Sequence, residues 1–186
     1  MRNEHEAGWT PGAVSEANEE LLSRVLKSTE DTFAEDKFHA SLAFVIRAGE
    51  VLRVLHIYGE DSAAVQVQMV RLAMQIEQDK ADALILVGEC WSAPVDELGR
   101  YERPSESDSR VELLYVDLIQ ANGAVIHCYT SIERNGDDAW LGEWSMSSDF
   151  RNFSLTPVYM GWGHPVPEEW RTMTLNLVME AKSQRQ

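Results

Sequence analysis

The sequence is poor in positive charge. Its 186 residues include 16 Lys and Arg against 31 Asp and Glu, which gives a formal net charge of −15 at pH 7. Surfaces that bind nucleic acid or anionic lipid are built largely from Lys and Arg side chains. This shortage argues against DNA, RNA or a membrane as a partner.

Long apolar runs and cysteine clusters are also missing. No stretch approaches the roughly 18 apolar residues that a membrane span needs, and the opening MRNEHEAGWTPG lacks the apolar segment of a signal peptide. Cys90 and Cys128 lie in separate apolar runs without metal-site spacing. We therefore expect a cytoplasmic protein with two buried thiols in a reducing compartment.

Motifs that would indicate a cofactor are missing as well. The sequence contains no P-loop, no G-x-G-x-x-G and no HExxH or H-x-H spacing among its five histidines. His39 and His56 fall on neighbouring predicted strands, but strand histidines usually form only hydrogen bonds. We predict no metal site and no cofactor.

Length and composition predict one domain. The chain is 44% hydrophobic and 25% charged, as is usual for a folded protein, and its length is close to one domain of about 150 residues. Residues 1–12 have no periodic apolar pattern, so we expect a flexible acidic tail there. Residues 13–186 should form a single α+β domain.

The apolar spacing predicts an α+β fold with the order α-β-β-α-β-β-β-β-α. The predicted helices span residues 13–33, 62–80 and 167–182. The six predicted strands span residues 38–47, 51–58, 83–91, 110–119, 124–134 and 139–146. Short turn signals between them favour hairpins and a mainly antiparallel sheet with helices packed on it. Residues 147–167 are predicted to be an ordered loop.

A carboxylate interrupts the most apolar predicted strand. Glu89 and Trp91 share a face with the apolar side chains that precede them, so an acid ends a face that should be buried. A buried carboxylate needs a partner, and Arg103 and Arg110 are near in sequence. Glu112 follows on the same face as Arg110. These residues predict an ionic cluster where this strand meets the next one.

The cluster has two interpretations. In a pocket, Glu89 or Glu112 would be the catalytic general base, and the arginines would bind an anion. In a structural staple, the charges would only pair with each other, and Glu89→Gln would cost about 3 kcal/mol or more. The candidate binding residues are Trp91, Arg103, Ser105 and Arg110.

This region also carries a resemblance. The pattern E-x-W at residues 89–91, followed by R-P-S-x-x-x-x-R-x-E at residues 103–112, resembles one in uncharacterised bacterial and phage-borne proteins. The resemblance covers residues 83–119. It implies a related domain but assigns no activity and no catalytic residue.

Three functions are compatible with these patterns. The leading hypothesis is a noncatalytic protein-interaction domain that acts as a homo-oligomer, because strands 83–91 and 110–119 are apolar on both faces and need covers. The first alternative is a small hydrolase or anionic-metabolite binder that uses Glu89, Arg103, Arg110 and Glu112. The second is an acidic inhibitor that mimics nucleic acid. Residues 1–36 hold nine acids against three bases, a pattern that would suit a basic protein partner.

Overall fold

The computed structural model describes residues 11–59, 61–93, 107–148 and 152–183. The helices in these ranges are α1 (Glu16–Asp36), α2 (Ser62–Asp79), α3 (Thr156–Gly161) and α4 (Glu168–Ser183). The strands are β1 (Leu42–Arg47), β2 (Glu50–His56), β3 (Ala83–Ser92), β4 (Val111–Gln120), β5 (Val125–Asn135), β6 (Asp138–Leu141) and β7 (Ser145–Ser147). All of these strands pair antiparallel, so the predicted α+β fold is confirmed.

The strands form one sheet in the order β2-β1-β3-β4-β5-β6, with β7 also paired to β5. One edge of β5 pairs with β4, and the other edge accommodates two strands because β5 is 11 residues long: His127–Tyr129 pairs with β7 and Ile132–Asn135 pairs with β6. The predicted strand 139–146 is therefore two short strands. The break falls at Gly142, whose backbone lies so close to the Ser131 side chain that a Cβ would collide with it.

Polar caps begin the two long helices. The Ser15 side chain accepts a hydrogen bond from the Asn18 backbone at the start of α1. The N-cap of α2 is Asp61, whose carboxylate accepts from the backbone N–H of Ala64 at 2.7 Å. Each helix ends at a lysine in the left-handed conformation, Lys37 with φ 59° and Lys80 with φ 51°.

Helices cover both faces of the sheet, and the core has two halves. On one face, α1 packs Leu21, Leu22, Val25 and Phe33 against β3, β4 and β5. On the other face, α2 packs Met69, Leu72 and Ile76 against β1, β3 and β4, together with residues of α3. Residues 83–88 of β3 are buried. The central strands thus obtain their covers from this chain and do not need a second subunit for that purpose.

The predicted loop 147–167 contains helical structure. In its described part, a 3-10 turn (Phe153–Leu155) leads directly into α3. Leu155, Val158 and Tyr159 are each 1% exposed and belong to the second half of the core. Pro157 lies in the first turn of α3, where a missing N–H costs nothing, and six residues are too few to show a helical period.

The predicted flexible tail and the predicted absence of a membrane span can be compared with the described residues. Of the predicted tail, residues 1–10 lie outside the described ranges, and the Gly12 backbone donates a hydrogen bond to the Asn122 carbonyl at 2.9 Å. Within the described ranges, no helix has both the length and the apolarity required to cross a membrane.

Candidate functional site

Two of the four residues of the predicted ionic cluster, Glu89 and Glu112, meet in the structure, and among the described residues the arginine that binds both of them is Arg134, which was not predicted. The Arg134 guanidinium binds both oxygens of Glu112, with Nε to Oε2 and Nη2 to Oε1 distances of 2.8 Å. The same Nη2 lies 3.2 Å from Oε2 of Glu89. We call Glu89, Glu112 and Arg134 the carboxylate–arginine cluster.

Strand register brings these three residues together. Trp91 pairs with Glu112, and Glu89 pairs with Leu114, so both carboxylates lie on the α1 face at one end of the β3–β4 ladder. The end of β5 brings Arg134 to the same place. Its Nη1 also donates to the carbonyl of Lys37 at the end of α1, at 2.9 Å. The cluster therefore joins three strands to the C-terminus of a helix.

The electrostatics of the cluster follow from partial burial. The side chains of Glu89 and Glu112 are 13% and 14% exposed, whereas that of Arg134 is 37% exposed. Burial raises the pKa of Glu89, the hydrogen bond from the His39 backbone and the charge of Arg134 lower it, and the charge of Glu112 raises it again. The His39 N–H lies 2.7 Å from Oε1 of Glu89. Both oxygens of Glu89 are thus engaged.

The other predicted site residues take different positions. Arg110 does not provide the partner of Glu89; its guanidinium carbon lies 4.9 Å from the centre of the Trp91 ring, in a cation–π contact. Trp91 is 52% exposed. Arg103 and Ser105 lie outside the described residues. The structure thus brings together Glu89 and Glu112 of the predicted set, and Arg110 with Trp91 beside them.

A second polar group lies on the opposite face of the sheet and was not predicted. Nδ1 of His127 on β5 is hydrogen-bonded to Oδ1 of Asp117 on β4, and the Asp117 side chain is 2% exposed. The ring of Tyr129 stacks on His127 with a centroid distance of 4.9 Å. Burial raises the pKa of Asp117, and the hydrogen bond from His127 partly opposes this rise. Burial also raises the pKa of the neighbouring Tyr115.

The sequence contained a signal for this pair. Asp117 interrupts the apolar strand LLYVDLIQ with the same parity as Tyr115, just as Glu89 interrupts β3. His127 and Tyr129 share a parity on β5. Register then places Asp117 directly opposite His127. An acid in a buried run, followed after a turn by a histidine at the mirror position, indicates such a pair.

The cysteines differ from the expectation of two buried thiols. Cys90 is exposed, and the expectation was wrong there, because the buried part of β3 ends at Gly88. Cys128 is buried, and burial raises the pKa of its thiol to about 11. Among the described residues, no three His, Cys, Asp or Glu side chains are grouped as metal ligands would be.

The open edge of strand β2 exposes three aliphatic side chains of the sheet. Within the described ranges β2 pairs only with β1, so its other edge has no strand partner. Val51, Leu52 and Val54 are 40%, 36% and 51% exposed. We call these three residues and their free backbone edge the edge surface.

A groove of about 460 Å³ borders the edge surface, between α1 and the β1–β2 hairpin. Leu21 and Val25 of α1 line one side. Phe38, Phe44 and Val54 line the other, and Phe38 is 57% exposed. The groove is apolar because α1 lies over β3 and β4 and leaves this face of the hairpin uncovered.

These features define an acidic α+β domain with an antiparallel sheet, helices on both faces and an open apolar edge. The chain belongs to the family of bacteriophage lambda protein ea47, whose family model matches residues 8–183. The match supports the resemblance to phage-borne proteins, and it concerns the whole domain rather than the E-x-W and R-P-S pattern. Comparison with curated proteins and with solved structures gave no match.

Proposed function

We propose that the chain is a noncatalytic protein-interaction domain that self-associates through the edge surface. The observation that carries this proposal is the exposure of Val51, Leu52 and Val54 on a sheet edge of seven residues. An open edge presents unpaired backbone N–H and C=O groups, and it attracts another strand unless it is short, charged or covered. At this edge, apolar side chains accompany those groups.

The other exposed apolar positions are less suited to this role. Strands β6 and β7 at the far side of the sheet have only four and three residues, and short edge strands pair poorly. Helix α4 exposes Met173, Leu175 and Met179. A helix satisfies its own backbone groups, however, so this face offers only side-chain contacts.

The carboxylate–arginine cluster supports a structural role rather than catalysis. A general base needs a free oxygen that faces bound substrate. Glu112 receives two hydrogen bonds from Arg134, and Glu89 receives one from Arg134 and one from the His39 backbone. This pairing favours the staple interpretation over the pocket.

The test is the solution mass of the protein by light scattering at low and high salt. We expect a dimer or larger assembly whose mass does not change with salt, because the contact is mainly apolar. Val54→Lys should shift the protein to monomer, since a lysine on an edge strand opposes pairing. A monomer for the unmodified protein at every concentration and salt would overturn the proposal.

The matched control is Met179→Lys on α4. Met179 is 67% exposed and Val54 is 51% exposed, so this variant adds the same charge at an apolar position that is at least as open and lies on a different element. It should leave the mass unchanged. Loss of the assembly in Met179→Lys but not in Val54→Lys would move the interface to α4 and contradict the role of the edge surface.

A further inference from the structure

We propose that a cavity at one end of the sheet binds a protonated primary amine, through the carboxylate of Asp82 and the side-chain oxygen of Asn18. This site goes beyond the proposed function and does not depend on self-association. It uses no residue of the edge surface and none of the carboxylate–arginine cluster.

The cavity has a volume of about 490 Å³ and lies where four parts of the chain meet. These parts are the first turn of α1, the β1–β2 turn, the residue before β3, and the end of β4 with the turn that follows it. Strand register brings them together, because Ala83 pairs with Ile46 on one side and with Gln120 on the other. Several lining residues are small, among them Ala17 and Ala121, so the walls can accommodate a methylene chain.

The carboxylate of Asp82 is held in place at this cavity. The backbone N–H of Asp82 donates to the Ile46 carbonyl at 3.0 Å, and its carbonyl accepts from the Ala121 N–H at 2.8 Å. The carboxylate itself accepts from the Ala48 N–H, 2.9 Å from Oδ2. None of the ion pairs among the described residues includes Asp82. A carboxylate offers about four lone-pair sites, so this one can accept further donors and a positive charge.

Asn18 supplies a second acceptor. It lines the cavity, and it is 4% exposed. Its Nδ2 donates to Oε1 of Gln120 at 2.8 Å, and within the described part of the chain its buried Oδ1 has no donor. Gln120 fixes this orientation, because its Oε1 also accepts from the Ser15 N–H and its Nε2 donates to the Ala13 carbonyl. A buried acceptor without a donor costs free energy, so a ligand that supplies a donor is stabilised there.

These two acceptors favour a ligand with both positive charge and N–H donors. A primary ammonium is compact and has three donors. In the proposed complex it donates to Asp82 and to Asn18, and its alkyl chain contacts the small residues of the walls. A guanidinium pairs best with a carboxylate whose two oxygens are both open, whereas the oxygens of Asp82 share the Ala48 N–H.

An anion is disfavoured, although the N-terminus of α1 borders the cavity. The positive end of a helix dipole attracts anions, but Glu16 and Glu19 in the first turn already complement it. The charge of Asp82 and the net charge of −15 also repel an anion. A hard metal ion is disfavoured as well, because such ions take about six or more oxygen ligands, and no three His, Cys, Asp or Glu side chains group together in the described ranges.

Titration of isotope-labelled protein with butylamine, followed by NMR at neutral pH, tests the site. The backbone N–H of Ala48 reports on Asp82, and the side-chain amide of Asn18 reports on the second acceptor. We expect both signals to shift and to saturate with a dissociation constant on the order of 1–10 mM. Absence of a saturable shift below about 100 mM would overturn the proposal.

Two further probes separate the charge from the donors. 1-Butanol has the same chain without the charge, and it should bind about tenfold more weakly or less. Butyltrimethylammonium has the charge but no N–H, so it should not shift the Asn18 signal. Equal binding of butanol would show a merely apolar cavity, and an equal Asn18 shift with butyltrimethylammonium would show an effect of charge alone. Either result overturns the proposed contacts.

A pair of variants tests the position of the site. Asp82→Asn removes the charge and keeps an oxygen that can accept from Ala48, so the spectrum of the fold should persist while butylamine binds about tenfold more weakly. The matched control is Asp138→Asn, which removes the same charge from an exposed residue on β6, about 30 Å away along β5. The control should bind butylamine as the unmodified protein does. Unchanged binding in Asp82→Asn, or equal weakening in both variants, would overturn the site.

Discussion

Glu89 accepts one hydrogen bond from a backbone N–H and one from a guanidinium. Only the second depends on the charge of the carboxylate, so it sets how much that charge contributes to the free energy of unfolding. One oxygen accepts from the His39 backbone at 2.7 Å, and the other meets Arg134 at 3.2 Å. A neutral glutamine at position 89 keeps an acceptor for the His39 N–H. It loses only the ion pair with a guanidinium that is 37% exposed and screened by solvent.

We therefore expect Glu89→Gln to lower the free energy of unfolding by about 1 kcal/mol or less. The estimate of about 3 kcal/mol from sequence assumed a buried arginine. Arg134→Gln should cost more than Glu89→Gln, because it removes both ion pairs and the hydrogen bond to Lys37. Urea unfolding of the two variants measures this order, and a larger loss in Glu89→Gln would contradict the described geometry.

The burial of Asp117 predicts how the stability of the protein changes with pH. Its pKa in the folded protein is raised, mainly by burial, above the value of about 3.9 of an unfolded aspartate. Ionisation therefore costs more in the folded state, and the free energy of unfolding should fall as the pH rises from about 4 through the raised pKa. Above that pKa this part of the stability is lost.

Asp117→Asn removes this dependence and keeps an oxygen that can accept from His127. Relative to the unmodified protein, the variant should gain stability between pH 4 and pH 8 in urea unfolding curves. The sign of this stability difference distinguishes two roles of Asp117. A variant that loses relative stability as the pH rises would show that the charge of His127 outweighs burial, with Asp117 acting as the anion of an ion pair.

At the scale of elements, the β1–β2 turn holds Ala48 in the left-handed conformation, which is unfavourable for alanine. Ala48 has φ 52° and Gly49 has φ 78°, so both central residues of this two-residue turn are left-handed. Such turns favour Asn-Gly. Gly49 is further constrained, since a Cβ there would lie 2.6 Å from the Cβ of Ala17 on α1.

We expect Ala48→Asn to raise the free energy of unfolding by about 0.5–1 kcal/mol. The gain comes from relief of the left-handed alanine, and the backbone N–H of residue 48 still donates to the Asp82 carboxylate, at 2.9 Å in the unmodified protein. Ala48→Val at the same site is the control and should destabilise, because a branched side chain tolerates this conformation poorly. Thermal unfolding of both variants decides between these outcomes.

At the scale of the whole molecule, protection of backbone amides from hydrogen exchange should decrease from the centre of the sheet to its open edge. Residues of β3 lie between two strands and beneath helices on both faces, whereas six of the seven residues of β2 are exposed. Hydrogen exchange by mass spectrometry should therefore be slowest in β3 and β4. Dilution to monomer should accelerate exchange selectively in β2, and equal rates in the two states would contradict pairing at that edge.

The net negative charge also concerns the molecule as a whole, because it affects which partners the protein can bind. The acids of α1 include Glu16 and Glu19 in its first turn, where they complement the helix dipole. A local helical role thus accounts for part of the acidity that suggested a nucleic-acid mimic. An assembly with a basic protein would weaken steeply with salt, whereas association through the edge surface would not.

The sequence by itself determined the type and order of most elements, because apolar periodicity and turn residues are local properties. It also determined that an acid lies within a buried strand at position 89. It did not reveal α3, since six residues with a proline carry too little periodicity. It did not separate β6 from β7, because the close approach of Gly142 to Ser131 on β5 is a contact between two strands rather than a property of one segment.

Only the tertiary structure decided which charges meet. Sequence proximity suggested Arg103 and Arg110 as partners of Glu89, yet the arginine that binds Glu89 within the described part of the chain is Arg134, 45 residues away. Register also joined Asp117 to His127 and left β2 at the edge with its aliphatic side chains exposed. Contacts between strands depend on which strands are neighbours in the sheet and on their register. Both are properties of the folded chain rather than of any single segment.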